Sequence, residues 1–389
     1  MREIRLEHRS CECCGGDNLN KMWKSSSVVT RDKNKWTFPY YITICNDCGF
    51  TFSSPAPVEE DLMEYHAEGL TGFKGISLPY TIEKRLPIIE KYAKKGGNFA
   101  EIGGDLPDKF HKYCSQFFDT LISVEIAEDT PGDYNNLYDL KENSFDMIAH
   151  YDVLEHIIDI KKFLQACYKA LRVGGFMVCE MPNLRLYPKN LLMLEFEHVN
   201  HFSIHTLSKI CAQNGFTLVE TGHKCSRPYG MLGVFKKESS SIKISYNKEI
   251  EVLDARACIN GGIYQIEKLN DCINDLRKKL IHLQKEKKNV TIWAVNDILR
   301  RLLDGFELPE GCIVVDSDPR RRNDLSDLGI KVEIPLKKID HIKNSNLLII
   351  SAARYQHSIC EWIERNFDKK FTNDSLVILG DSQKENTLT

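Results

Sequence analysis

The segment from Phe145 to Asn183 constrains the fold of this chain more than any other. A short apolar stretch, Phe145 to His150, precedes an amphipathic stretch and a second apolar stretch. The apolar residues of the middle stretch recur every three or four positions, as on one face of a helix, and they are Ile160, Phe163, Leu164, Cys167 and Leu171. Gly174 and Gly175 can supply the left-handed turn that ends such a helix. The pattern predicts a strand–helix–strand unit with parallel strands, covered by helices on both faces.

Length and charge exclude several classes of protein. The 389 residues exceed one hydrophobic core, so two or three domains are expected. A net charge of -3 gives no electrostatic attraction to nucleic acid or to a membrane. No apolar run approaches the about 20 residues of a membrane span, and the first residues lack the apolar core of a signal peptide. We therefore expect a cytoplasmic protein that binds neither nucleic acid nor membrane.

Four of the 14 cysteines form a metal-binding pattern. Two Cys-x-x-Cys-Gly turns, Cys11 to Gly15 and Cys45 to Gly49, flank a polar and aromatic, hairpin-like stretch. Each turn directs two thiolates to one point, and two such turns complete a tetrahedral zinc site. The predicted ligands are Cys11, Cys14, Cys45 and Cys48. Four protein ligands leave no open position, which makes this zinc structural; a ligand shift to Cys13 is an alternative.

A glycine turn follows the predicted helix from about Thr81 to Lys95. Glu101, Gly103 and Gly104 end a predicted strand, where bare backbone lets a ligand approach closely. Leu106 and Pro107 then add bulk and stiffness in place of further small residues. We interpret the turn as a cofactor loop.

Three more candidate ligand contacts end predicted strands. Glu125 ends the next predicted strand, about 20 positions after the glycine turn, which is the spacing at which a carboxylate accepts ribose hydroxyls. A solvated glutamate is the alternative there. Tyr151 and Asp152 follow the first strand of the central unit, at the edge where open α/β sheets bind ligands. His156 lies at the same edge and is either a ligand contact or a cap of the next helix.

The densest group of acid–base side chains lies between Leu194 and Ser203. Histidine titrates near neutrality and a neighbouring carboxylate can orient it, so His198 with Glu197 is a candidate general base. The alternative is that the segment only fixes a loop.

These features resemble known families. The run DVLEHIIDIKKFLQACYKALRVGGFMVCEMPN resembles the second half of a class I S-adenosylmethionine-dependent methyltransferase, whose glycine turn Glu101, Gly103 and Gly104 also match. The zinc knuckles, the Pro-x-Pro segment after them and the Glu197–His198 pair resemble nucleotide-sugar C-methyltransferases. In that family the Glu-His pair belongs to a Glu-His-x-x-Tyr-Phe-Ser segment and acts as the base.

The resemblance implies S-adenosylmethionine as cofactor beside a structural zinc, and it implies site residues. Tyr65 would belong to a lid over the active site and join His198 and Glu197 as a catalytic residue, or it packs a connecting helix together with His66. Glu195 and His201 stand where relatives carry tyrosines and would contact the substrate. The predicted cofactor contacts are Glu101, Gly103, Gly104, Glu125, Tyr151 and Asp152.

The last third of the chain predicts a helical arm and a second sheet. Apolar residues recur at helical intervals from Glu249 to Lys288, with a break at Gly261 and Gly262, which predicts an arm between domains or a dimer helix.

Five apolar strands alternate with helices after residue 290, as in a smaller Rossmann-like domain. Such a domain binds the nucleotide of the sugar donor in the relatives, and Arg354 would face that ligand. A run of three arginines, Arg320 to Arg322, either grips a diphosphate or is a solvated charge cluster.

The sequence thus predicts an α/β protein with a class I methyltransferase core. Its predicted parts are a zinc module and lid (1–80), the core (81–237), a linker and arm (238–289), a Rossmann-like domain (290–380) and a disordered tail (381–389). The predicted function is C-methylation of a nucleotide-linked keto sugar for a surface polysaccharide or a glycosylated product, by a monomer or homodimer. The alternatives are O-methylation, epimerisation, or binding of a sugar nucleotide or partner without methyl transfer.

Overall fold

The computed structural model describes residues 2–30, 35–68, 78–104, 107–126, 132–190, 194–222, 225, 229–239, 247–352, 356–367, 371–372 and 374–379. The chain divides into two units, Met1–Ile263 and Tyr264–Thr389. Among the helices of the described residues, none combines the length and the apolarity needed to cross a membrane. The predicted site residues Leu106 and Arg354 and the tail 381–389 lie outside the described residues.

The first unit contains most of the helices and strands. In chain order they are β1 (Arg2–Glu3), β2 (Leu6–Glu7), β3 (Leu19–Thr30), β4 (Lys35–Cys45), β5 (Thr51–Phe52), β6 (Ala56–Pro57), α1 (Glu59–Ala67), α2 (Leu78–Tyr92), β7 (Gly97–Ile102), α3 (Pro107–Cys114), β8 (Phe118–Val124), β9 (Phe145–Tyr151), α4 (Ile160–Ala170), β10 (Leu171–Pro182), β11 (Asn200–His201), α5 (Ile204–Gln213), β12 (Phe216–Thr221), β13 (Gly230–Lys237) and the start of α6 (Lys248–Lys285).

The main sheet of the first unit has the strand order β12-β13-β10-β9-β7-β8. β8, β7, β9 and β10 are mutually parallel, whereas β13 and β12 run antiparallel to their neighbours. The chain crosses from β7 outward to β8 and then returns to β9 on the other side of β7. Ligands of open α/β sheets bind at the carboxyl ends of strands beside such a reversal. The predicted strand–helix–strand unit is confirmed as β9, α4 and β10.

The predicted role of Gly174 and Gly175 in ending α4 is wrong. The helix ends at Ala170, and the backbone N–H of Leu171 bonds to the carbonyl of Cys167. β10 begins at once, and its pairing with β9 shifts register between Leu171 and Phe176. Gly174 has φ 78° within that irregular start, so the left-handed residue serves a strand distortion and not a helix cap.

A second, smaller sheet places the N-terminal segment against this core. β3 and β4 form the predicted hairpin, and β5 lies between β4 and β11. β11 comes from the loop that carries the candidate base, so this loop adds a strand to the N-terminal sheet. One apolar cluster joins both parts, since the buried Cys11 and Phe52 belong to it together with Phe163 and Leu207.

Helix α6 is continuous through Gly261 and Gly262, and the predicted break is wrong. A Cβ atom at Gly261 would lie 2.6 Å from Cβ of Pro188, so the glycine allows a close approach of the two segments. The glycines therefore serve packing against the helix and do not interrupt it.

The second unit is a parallel sheet flanked by helices. After the end of α6 it contains β14 (Val290–Trp293), α7 (Asp297–Leu303), β15 (Cys312–Val315), β16 (Val332–Glu333), α8 (Ile339–Lys343), β17 (Leu347–Ile350), α9 (Gln356–Phe367) and β18 (Leu376–Ile378). The strand order is β16-β15-β14-β17-β18, and every pair is parallel. The protein therefore has an α/β core and a second, smaller Rossmann-like sheet, as predicted.

Candidate active site

The carboxyl ends of β7, β8 and β9 bring the predicted cofactor residues to one edge of the main sheet. Glu101 and Gly103 end β7, Glu125 follows β8, and Tyr151 and Asp152 end β9. This edge lies at the reversal of strand order between β7 and β9. The sheet thus assembles residues that are up to about 50 positions apart in the sequence.

The turn after β7 is closely packed and contains two adjacent glycines. Gly103 has φ 70°, and a Cβ atom there would lie 2.5 Å from Cγ2 of Val153. Gly104 lies over the buried Glu101, whose carboxyl carbon would be 2.9 Å from an added Cβ. His111 on α3 places Nε2 3.2 Å from Oε2 of Glu101. The positive φ and the contact with Val153 require glycine at position 103, and the two glycines leave bare backbone at the ligand-binding edge.

The end of β9 has an unusual backbone and an unsatisfied hydroxyl. Asp152 has φ 55°, a left-handed conformation that non-glycine residues rarely adopt and that clusters at functional sites. The hydroxyl of Tyr151 is buried and has no hydrogen-bond partner among the described residues. Burial raises the pKa of Tyr151 well above its ordinary value, so this hydroxyl remains a donor. The guanidinium of Arg85 lies 3.8 Å from the centre of the Tyr151 ring.

These features fit S-adenosylmethionine. A polar donor without a partner, a left-handed backbone and a glycine turn meet at one sheet edge, and Glu125 follows the adjacent strand there. Glu125 is buried, and its backbone N–H bonds to the carbonyl of Tyr134. Residues 127–131, which continue from this strand, lie outside the described residues.

Three acid–base residues lie close together beside the loop that follows β9. One ligand atom each of Glu155, His156 and His198 lies within 4.8 Å of the other two. The imidazole rings of His156 and His198 have their centroids 5.2 Å apart, at an angle of 63°. Glu155 is 1% exposed, whereas both histidines are partly exposed. The predicted base His198 therefore lies beside a buried carboxylate.

Glu197 and Tyr65, the two other predicted catalytic residues, contact each other. The hydroxyl of Tyr65 donates to the carboxylate of Glu197. The Tyr65 ring is fully buried and packs edge-on against Trp36 and Phe38, with centroids 5.9 Å and 4.6 Å away. The backbone carbonyl of Glu197 accepts a hydrogen bond of 2.9 Å from Nδ1 of His156. The catalytic roles of these residues remain predictions.

The predicted substrate residues differ in exposure. Glu195 is partly exposed, and its carbonyl accepts a hydrogen bond from the backbone N–H of His198. His201 is 1% exposed, and its Nδ1 lies 2.8 Å from the hydroxyl of Tyr187. Burial, with a smaller contribution from His198, lowers the pKa of His201 to about 3. His201 is therefore a neutral, buried side chain in this structure.

Arg9 and Asn200 hold the two loops of the site together. The Asn200 amide donates to the carbonyls of Leu154 and Ile157, at 2.9 Å and 2.7 Å. The guanidinium of Arg9 donates to the side-chain oxygen of Asn200 at 2.7 Å and to the carbonyl of Ile158 at 2.6 Å. Burial lowers the pKa of Arg9 to about 10, so it remains charged at neutral pH. This network links the N-terminal segment to the loops of Glu155 and His198.

Sequence reasoning did not assign Arg9, Asn200 or Glu155 to the site. The sequence does contain an indication that Glu155 belongs to the site, because Glu155 precedes His156 just after a predicted strand. No local sequence pattern indicates Arg9, since its hydrogen-bond partners lie about 150 to 190 positions further along the chain.

The four predicted zinc ligands are adjacent. Each offers a sulfur atom within 4.8 Å of the other three, and the pairs Cys11–Cys48 and Cys14–Cys45 have Sγ atoms 3.5 Å apart. Tetrahedral zinc with Zn–S bonds of about 2.3 Å requires sulfur atoms about 3.8 Å apart. The donor set therefore fits a structural zinc ion, and Cys13 is not a member of it.

Comparison with known proteins identifies part of the first unit. Residues 77–221 match the family model described as a methyltransferase domain. This segment is a class I, S-adenosylmethionine-dependent methyltransferase domain. The chain thus contains a methyltransferase domain, and the candidate residues lie at the carboxyl edge of its sheet. No curated protein matches the chain.

Solved structures resemble about two fifths of this chain. One is an S-adenosylmethionine-dependent methyltransferase from Mesorhizobium loti, which is 12% identical and has a TM-score of 0.32 over 39% of this chain and 97% of that chain. Another comes from Clostridium acetobutylicum, with 10% identity and a TM-score of 0.35 over 42% of this chain and 94% of that chain.

Proposed function

We propose that this methyltransferase transfers a methyl group from S-adenosylmethionine to a carbon of a nucleotide-linked keto sugar. The observation that carries the proposal is the cluster of His198, His156 and the buried Glu155, on loops that follow the carboxyl ends of β9 and β10. A methyl acceptor on carbon requires a base, whereas many hydroxyl acceptors make a weaker demand on one.

The chain's own residues supply binding and proton removal. The turn at Gly103 and Gly104 and the carboxylate of Glu125 would hold the cofactor, and the Tyr151 hydroxyl would donate to it. When bound, the cofactor supplies an electrophilic methyl group.

His198 would accept the proton from the carbon beside the ketone, which leaves an enolate carbon as the nucleophile. The imidazolium formed in that step carries a positive charge. Glu155 is close enough to stabilise this charge, because its carboxylate lies within 4.8 Å of a ring nitrogen. Glu197 is engaged by Tyr65 and would shape the substrate pocket beside the base.

The proposal of a sugar-nucleotide substrate rests on the order of the domains along the chain. A zinc-binding segment, a methyltransferase core and a second Rossmann-like sheet occur together in the sugar C-methyltransferases that the sequence resembles. In the second unit, the carboxylate of Asp316 at the end of β15 accepts the backbone N–H of Val295 at 2.8 Å. Because the Asp316 carboxylate already binds the turn after β14, other residues of this unit would have to contact a nucleotide.

Hydrogen exchange tests the proton-removal step. A panel of nucleotide keto sugars is incubated in D₂O with the enzyme and S-adenosylhomocysteine, which cannot donate a methyl group. We expect deuterium to enter the carbon beside the ketone, and His198→Asn to slow this exchange by at least about 100-fold. The control is His205→Asn, since His205 is an exposed histidine that pairs with Glu251. Exchange at the same rate in His198→Asn and the parent enzyme would refute the role of His198.

A further inference from the structure

The site contains a second set of metal-ligand side chains, distinct from the four cysteines. Glu155, His156 and His198 come from two separate loops, and their ligand atoms lie within 4.8 Å of one another. One carboxylate with two imidazoles is a donor set that binds zinc and ferrous iron in proteins and leaves coordination positions open. The cluster therefore has the composition of a metal site with open coordination positions, unlike the site of the four cysteines.

The separations permit coordination after a small adjustment. Metal–ligand bonds of about 2.0–2.1 Å in a tetrahedron place the ligand atoms roughly 3.3 Å apart. The largest separation in the cluster is at most 4.8 Å, so the ligand atoms need to converge by no more than about 1.5 Å. His198 is partly exposed, and rotation of its ring can supply this change.

The orientation of His156 supports an ion. A carbonyl oxygen can only accept a hydrogen bond, so Nδ1 of His156 carries the proton that it donates to the carbonyl of Glu197. Its Nε2 then keeps the lone pair that a metal ion requires. Histidine ligands of metals characteristically donate their other ring N–H to a carbonyl or a carboxylate, which fixes the tautomer and the ring orientation.

Hydrogen bonds hold the backbone around the cluster. The amide of Asn200 donates to the carbonyls on either side of the Glu155–His156 pair, those of Leu154 and Ile157. Asn200 is itself held by the buried Arg9.

We propose that Glu155, His156 and His198 bind one divalent transition-metal ion, separate from the ion held by the cysteines. The binding does not depend on the proposed substrate. One consequence does rest on the proposed function: an ion that occupies the lone pair of His198 prevents this side chain from accepting a proton, so occupancy inhibits methyl transfer.

Cobalt titration of the full chain carrying its structural zinc tests the site. We expect one Co²⁺ per chain in addition to the zinc, with visible d–d absorption and without the near-ultraviolet bands of cobalt bound to thiolate. Glu155→Gln and His198→Asn should each weaken Co²⁺ binding by at least about tenfold, as loss of a ligand or its support does in metal sites. His205→Asn, which removes an exposed histidine paired with Glu251, should bind Co²⁺ like the parent protein.

The outcomes separate the binding site from the proposed reaction. Absence of Co²⁺ binding, binding with thiolate bands alone, or unchanged affinity in His198→Asn would overturn the metal site. If Glu155→Gln fails to fold, His198→Asn decides, because His198 is partly exposed and its replacement leaves Glu155 intact. Co²⁺ binding, together with no deuterium exchange on any keto sugar by the protein measured without Co²⁺, would support the metal site while refuting the proposed substrate.

Discussion

At the scale of single residues, Asp146 joins the beginnings of three strands of the methyltransferase sheet. Its carboxylate accepts the backbone N–H of Asn98 at 2.9 Å and lies 3.3 Å from Nζ of Lys94. It also contacts the guanidinium of Arg172. Burial by itself would raise the pKa of Asp146, but the hydrogen bond from Asn98 and the two cations outweigh burial and lower it below 3.8.

The lowered pKa predicts a pH-dependent contribution to stability. The ionised form is favoured in the folded state, so its contribution is complete above the unfolded pKa and is lost as the pH falls through the folded pKa. We expect Asp146→Asn to reduce the free energy of unfolding by about 1–3 kcal/mol at pH 7, and the difference from the parent protein to shrink below about pH 4. Urea unfolding at the two pH values measures it.

Asp119→Asn is the matched control, because it makes the same chemical change at an exposed position of β8. Its effect should be within about 0.5 kcal/mol at either pH. A difference between Asp146→Asn and the parent protein that stays constant from neutral to acid pH would contradict the account.

At the scale of elements, neighbouring glycines of α6 have different surroundings. A Cβ atom at Gly261 would lie 2.6 Å from Cβ of Pro188, whereas one at Gly262 would meet Cδ1 of Leu194 at an ordinary 3.4 Å. Alanine gains about 0.5–1 kcal/mol over glycine within a helix, but overpacking costs about 1–3 kcal/mol. We therefore expect Gly261→Ala to lower the thermal unfolding midpoint and Gly262→Ala to keep or raise it. A higher midpoint for Gly261→Ala would show that the contact with Pro188 adapts freely.

The cysteine turns allow a test of the zinc assignment. Cys45→Ser removes one of the four gathered sulfur atoms, so we expect loss of the structural zinc and a lower unfolding midpoint. Metal analysis of the purified protein measures the first effect and calorimetry the second. Cys272→Ser, at a partly exposed position of α6, should change neither. Retention of zinc in Cys14→Ser or Cys11→Ser together with its loss in Cys13→Ser would instead support the shifted ligand set, in which Cys13 replaces a cysteine of the first turn.

The success of sequence reasoning depended on the range of the interactions. Strands such as β9 and helices such as α4 were predicted because apolar periodicity is local. Gly174 and Gly261 were misinterpreted, since whether a glycine ends a helix, distorts a strand or admits a neighbour depends on distant contacts. Strand-end residues such as Glu125 were placed correctly at the sheet edge by topology alone. The links made by Arg9 across the chain had no local signal.

At the scale of the whole molecule, two α/β units with different turns after their first parallel strands belong to one chain. The first unit has the glycine turn at Gly103, and the second has Ala294 with φ 78° after its first strand. The second turn is fixed internally by Asp316 and by Asn296, whose side chain caps α7. The methyl donor is therefore assigned to the first unit.

The position of the transferred methyl group tests the proposed function most directly. The enzyme is incubated with nucleotide keto sugars and S-adenosylmethionine whose methyl group carries an isotope label, and the product is examined by nuclear magnetic resonance. We expect the labelled methyl group on the ring carbon beside the ketone, with loss of the proton from that carbon. A label on oxygen, or an inverted sugar centre without any label, would contradict the proposal.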